Sequence, residues 1–158
     1  MDKIEETLSS GGAVVLPTET VYGLFCKALD KQAVNHVYDL KDRPRDKALN
    51  LNVSSLEDIY QFSKHQPQYL ERLYRSFLPG PLTIILQANE QVPIWVNSGM
   101  KTIGFRVPSH PKTLDLIRKF GPLIGPSANL SGKSSGVNFQ QIMIEFNHEV
   151  LGIEDDTF

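Results

Sequence analysis

The densest charge in the chain is Lys41-Asp42-Arg43-Pro44-Arg45-Asp46-Lys47, four cations and two carboxylates around one proline. Pro44 has no backbone N–H and pushes Arg43 towards extended backbone, which predicts an irregular loop here. Arginine forks onto two phosphate oxygens and lysine adds a mobile point charge, so these residue types suit a polyphosphate. A solvated run closed by its own aspartates would have the same composition. The net charge of −2 makes any anion site a local one and argues against a general nucleic-acid coat.

Three other stretches could do chemistry. Ser127-Ala128-Asn129-Leu130-Ser131-Gly132 offers hydroxyls, an amide and a glycine, enough to wrap a small polar ligand or to form a surface turn. Pro17-Thr18-Glu19-Thr20-Val21-Tyr22-Gly23-Leu24 is either a turn closed by hydroxyl-to-backbone bonds or a polar floor at a strand end. Arg106 stands inside the apolar strand expected over Thr102 to Val107, where it must be paired on an edge or turned into a wet cleft. There is no Cys/His cluster for zinc, no Walker-type glycine loop and no dinucleotide fingerprint.

The elements that must position these residues can be read from periodicity. A short helix over Asp2 to Ser9 stops at Gly11-Gly12, and Ala13 to Leu16 reads as a buried strand. Asp30 caps a helix with Ala33, Val34, Val37 and Tyr38 on its apolar side and His36 off it, ending near Leu40. Ala48 to Val53 alternates, with Leu49, Leu51 and Val53 on one side and Asn50 and Asn52 on the other. Ser54 to Glu57 is a capping-box pattern, and Pro67 opens a helix whose face is Tyr69, Leu70, Leu73, Tyr74 and Phe77. Pro79-Gly80-Pro81 breaks the chain before an apolar strand at Leu82 to Leu86. Gln87 to Met100 is loop-like, with Trp95 as lid or packing anchor. Pro111 opens a helix ending at Gly121, Gln140 to Phe146 is the last helix, and the chain ends with no closing strand in view.

At 158 residues, with 41% hydrophobic and 22% charged residues, the chain reads as one ordinary globular domain. The single Cys26 excludes an internal disulfide framework. The polar start lacks a signal peptide's apolar core, and no run nears the roughly 18 apolar residues of a membrane span, so a cytoplasmic protein is expected.

Taken together, five stretches resemble the YrdC-like family of threonylcarbamoyl-AMP synthases: Pro17 to Gly23, Lys41 to Lys47, Pro79-Gly80-Pro81-Leu82-Thr83, Gly104 to Pro111 and Ser127 to Gly132. They fall in the family's order and nearly its spacing. The lysine–arginine–lysine loop joined to Ser127-Ala128-Asn129 also separates this branch from the YciO-like proteins. The resemblance implies an α/β fold, a YrdC-like twisted mixed sheet flanked by helices around a concave, positively charged cleft. It implies one YrdC-like domain over residues 1–158, ending short of a Ser-Thr-bearing strand with which the family normally continues.

The implied reaction joins L-threonine, bicarbonate and ATP with Mg2+ into threonylcarbamoyl-adenylate and pyrophosphate. A tRNA-modifying transferase complex then receives the adenylate and modifies adenosine beside the anticodon. Carried over by position, Lys41, Arg43 and Lys47 would be the catalytic cations along the ATP phosphates. Ser127 and Asn129 would hold the nucleotide. Thr18, Tyr22, Arg43, Asn52 and Arg106 would seat threonine, and no metal ligand comes from the protein. Asn52 stands where the family commonly has histidine; it hydrogen-bonds but does not titrate near neutrality. Two other functions stay open: an RNA-binding or ribosome-associated module using the same basic cleft, with weak RNA binding, and a related binder of another nucleotide or carbamoyl compound.

Overall fold

Short apolar runs bounded by glycine, proline and hydroxyl residues become strands here, and helices capped by Asp, Ser and Asn pack on both faces of the sheet they form. The computed structural model describes residues 1–42, 44, 48–129 and 137–157. In chain order the elements are α1 (Lys3–Ser9), β1 (Val14–Pro17), β2 (Tyr22–Lys27), α2 (Lys31–Lys41), β3 (Leu51–Asn52), α3 (Leu56–Phe62), β4 (Ser63–Lys64) and α4 (Leu70–Phe77). They continue with β5 (Gly80–Ala88), α5 (Ile94–Asn97), β6 (Thr102–Val107), α6 (Pro111–Phe120), β7 (Leu123–Ile124), α7 (Phe139–Glu145) and β8 (Leu151–Gly152).

The strands form one mixed sheet in the order β4-β5-β6-β3-β7-β2-β1-β8. β3 runs parallel to β6 and β8 parallel to β1, while the other pairs are antiparallel. Alternation along β1 and β2 sends Val15, Leu24 and Cys26 to one core, shared with Val34 and Val37 of α2. Val14, Leu16 and Phe25 face the other, with Leu8 of α1 and Leu116 and Ile117 of α6. Strands buried on both faces read as continuous apolar runs, which is how β1 reads in sequence. The caps behave as expected: Asp2 accepts from Glu5 N at 2.8 Å, and Asp30 from Ala33 N at 3.2 Å.

Several expectations need correction. The Pro17–Leu24 segment is the turn closed by hydroxyl-to-backbone bonds, but within a hairpin, with Pro17 opposite Tyr22 and β2 following at once. A closing strand does exist: β8 pairs with β1 at Val14 and Val15. The capping box opens one residue late, with Ser55 accepting from Asp58 N at 3.2 Å and Asp58 reaching back to Ser54 N at 3.3 Å. In α4, Leu70 is buried while Tyr69 and Phe77 are exposed, so the apolar face is narrower than the pattern implied. Trp95 is a packing anchor, donating its indole N–H to Ala28 O at 2.9 Å. Lys41 is the last residue of α2 rather than a loop residue, and it is 2% exposed.

Candidate functional site

Parity along two neighbouring strands creates the cleft. Leu49, Leu51 and Val53 beside β3, and Ile103, Phe105 and Val107 of β6, enter the larger core. The alternate positions, Asn50, Asn52, Gly104 and Arg106, therefore point to the other face. There Asn50, Asn52 and Arg106 border a cavity of about 200 Å3, with Pro126 and Ser127 among its other lining residues. Asn50 lies close over β6 at Gly104, where a Cβ would stand 2.3 Å from Asn50 Oδ1 and turn that side chain aside. Asn52 is buried and donates its amide to Leu123 O at 3.3 Å.

Arg106 combines an ion pair with a place at the cavity. It donates through Nη2 to Glu19 Oε2 at 3.0 Å and also lines the cavity, but on a central strand rather than an edge. Glu19 Oε1 accepts from Ser109 N at 3.2 Å, so the carboxylate ties the β1–β2 turn to the segment after β6. Arg106 Nε is buried and has no hydrogen-bond partner among the described residues. A guanidinium has five donors in a planar fork, and among the described residues only Nη2 has a partner.

Ser127 and Asn129 meet Lys41. The Lys41 ammonium donates to Ser127 O at 2.5 Å, Asn129 O at 2.6 Å and Asn129 Oδ1 at 3.0 Å. Ser127 Oγ donates to the same Oδ1 at 2.7 Å, and Ala128 N bonds Tyr22 O at 2.8 Å. The turn thus hangs from the start of β2 on one side and the end of α2 on the other. Phe25 sets its height. A Cβ at Gly23 would lie 2.4 Å from the Phe25 ring and one at Gly125 would lie 2.3 Å from it, so the ring slots between two glycines.

Thr18 and Tyr22 are in place but occupied. Thr18 Oγ1 donates to Val21 O at 2.6 Å and accepts from Thr20 N and Val21 N at 3.2 Å each, which closes the turn. Tyr22 is fully buried; its hydroxyl donates to Asp156 Oδ1 at 2.6 Å and accepts from Asp155 N at 2.7 Å. Burial, then the bond to Asp156, pushes its phenol well above the ordinary tyrosine range. The C-terminal segment also pairs Asp155 with His110 Nε2 at 2.8 Å. Hydrogen bonds from Thr157 and then His110 hold the Asp155 carboxyl down at about 2. A second cavity of about 240 Å3 lies here, bordered by Thr18, Glu19, Ser109, His110, Asp155 and Thr157.

Arg43 and Lys47 lie outside the described residues. Ala48 itself borders the cavity beside Asn52 and Arg106. The residue that sequence reasoning missed is Glu19, whose signal was its position as the one acid in the Pro17–Leu24 stretch. Among the described residues no cluster of three or more His, Cys, Asp or Glu is placed to hold a metal, and no helix is long and apolar enough to cross a membrane.

Residues 6–156 match the Sua5_yciO_yrdC family, described as telomere recombination. Threonylcarbamoyl-AMP synthase of Pyrococcus abyssi is 38% identical over 149 residues, covering 94% of this chain and 44% of that protein. The Bacillus subtilis protein of the same name is 35% identical over 94% of this chain and 43% of its own length. That of Hydrogenovibrio crunogenus is 38% identical over 80% of this chain and 70% of its own. The crystal structure of P. abyssi Sua5 complexed with L-threonine superposes with a TM-score of 0.90 at 37% identity, covering 96% of this chain and 45% of that one. Escherichia coli YciO superposes with a TM-score of 0.81 at 28% identity, over 96% and 74% of the two chains. The chain spans less than half the length of the first two of these synthases.

Proposed function

The chain belongs to the Sua5–YciO–YrdC family, and from that premise we propose that it forms threonylcarbamoyl-adenylate and pyrophosphate from L-threonine, bicarbonate and ATP. The observation that carries the proposal is Arg106, a guanidinium half engaged by Glu19, beside Asn52 and Ser127 at an amino-acid-sized cavity. The donors that such a fork keeps at the cavity beyond its ion pair take a carboxylate or a carbamate. Thr18 and Tyr22 shape that seat through the hairpin they close. Arg43 and Lys47 face the ATP phosphates, with Ser127 and Asn129 on the nucleotide. Mg2+ travels on the polyphosphate, held by phosphate oxygens and water.

The chemistry needs positioning and charge stabilisation more than a dedicated base. Bicarbonate, on taking a proton, gives carbon dioxide and water. The neutral threonine amine adds to the carbon, and its surplus proton leaves to solvent. The resulting carbamate oxygen bonds to the α-phosphorus as the bond from that phosphorus to the bridging oxygen breaks. The bond's electron pair departs with pyrophosphate. Two anions must meet for this, and Arg106 together with the loop cations offsets their repulsion. The adenylate then passes to a tRNA-modifying transferase complex.

Incubation with ATP, Mg2+, bicarbonate and L-threonine, followed by mass detection of the adenylate, tests the proposal. Product that requires both threonine and bicarbonate is expected. Folded protein that binds ATP yet yields no product under these conditions would reject it.

A further inference from the structure

The cation that opens the charged loop is spent inside the protein. Lys41 sits at the C-terminus of α2, where a positive charge is favoured by the helix carbonyls. Its ammonium has three N–H donors, and three oxygens of the 127–129 turn receive them, at 2.5, 2.6 and 3.0 Å. Two of these acceptors are backbone carbonyls, which are not released when a ligand arrives unless the turn itself moves. The side chain is 2% exposed, so a phosphate could reach the ammonium only by displacing the turn that it holds.

We infer that Lys41 is a positioning residue: it fixes the Ser127–Asn129 turn, and with it the polar wall of the cleft, without itself meeting a phosphate. Oδ1 of Asn129 receives both Lys41 and Ser127, which settles which end of that amide is turned inward. The same bonds pin the end of α2, the point from which the chain sets out towards Arg43 and Lys47 and returns at Ala48. One ammonium thus ties the nucleotide-facing turn to the end of α2. The inference deepens the nucleotide reading given above and rests on it for its functional half.

The test compares wild-type protein with Lys41→Met and with Lys41→Gln, which keeps a donor but no charge. ATP and adenosine serve as probes at two salt concentrations, and amide hydrogen exchange is followed without ligand. A positioning role predicts that Lys41→Met weakens ATP and adenosine by a common factor, on the order of tenfold, because a shared donor set is lost. It predicts an unchanged salt dependence for ATP, partial recovery in Lys41→Gln, and faster exchange at Ala128 and Asn129 in the ligand-free variant. A role confined to stability would leave the affinities of the folded fraction unaltered and overturn the inference. So would a loss selective for ATP, with a flattened salt dependence and unaltered exchange at those two amides. Should wild-type protein bind neither probe, the nucleotide reading fails by itself, and exchange at Ala128 and Asn129 still decides whether Lys41 holds the turn.

Discussion

Two cations stand near Ser127, and the fold treats them in opposite ways. Lys41 is enclosed and satisfied by three oxygens on a segment 86 to 88 residues away. Arg106 is a fifth exposed, held at one end by Glu19, and keeps a buried Nε without a partner among the described residues. A buried charge is tolerated when every donor is engaged, and it then acts as a structural tie. A charge whose engagement stops halfway costs stability and is retained for what it can receive. The difference lies in completeness of coordination, since both residues are cations in conspicuous sequence motifs.

The comparison can be broken most directly by removing each cation in turn. Lys41→Met leaves buried carbonyls unsatisfied and should lower unfolding stability by on the order of 3 kcal/mol, read from urea denaturation. Equal tolerance of that change and of Arg106→Leu would erase the distinction. Arg106→Leu should cost at most about 1 kcal/mol of stability. Its threonine-dependent adenylate formation should instead fall roughly 100-fold, measured as kcat/KM. Glu19→Gln sharpens the contrast: the amide can still accept from Ser109 but no longer anchors the guanidinium by charge. A rise in KM for threonine of about tenfold with little change in kcat is expected. A fall in kcat alone would place Glu19 elsewhere in the reaction.

The smallest effect concerns Tyr22, away from both cations. Its raised pKa means the folded state favours the protonated phenol, so its contribution is fully present below the unfolded value of about 10 and is lost as pH rises through the folded one. Ultraviolet titration should show wild type and Tyr22→Phe gaining the same phenolate absorbance around pH 10, with the extra tyrosine of wild type ionising only on alkaline unfolding. An additional phenolate at ordinary pH in the folded wild-type protein would mean that the Asp155–Asp156 segment does not hold Tyr22 in solution.

Much of this was legible locally. Asp30 announced α2, the Leu49–Leu51–Val53 parity placed Asn50 and Asn52 together, and Pro111 with Gly121 bracketed α6. What escaped depended on partners distant in sequence. Lys41 looked like loop because Pro44 follows closely, yet its oxygen partners on the 127–129 turn let the helix run through it. β2 was hidden because Gly23 lowers strand propensity, and its reason is the Phe25 ring rather than a turn. β8 is two residues long and becomes a strand only through β1. Tyr69 and Phe77 fit the helical period, but the period cannot tell how wide a face the core accepts.

The slot that Gly23 and Gly125 leave for Phe25 also constrains how this chain can vary. These three positions form one heritable unit: a methyl gained at either glycine is incompatible with the ring at residue 25, and a smaller residue 25 leaves a void that only a larger neighbour can refill. Drift at any one of them alone should be purged, while coordinated exchanges that conserve the summed volume should survive. In a library randomised at all three, the recovered sequences would then be correlated triplets, and the permitted residue at each position would depend on its history at the other two.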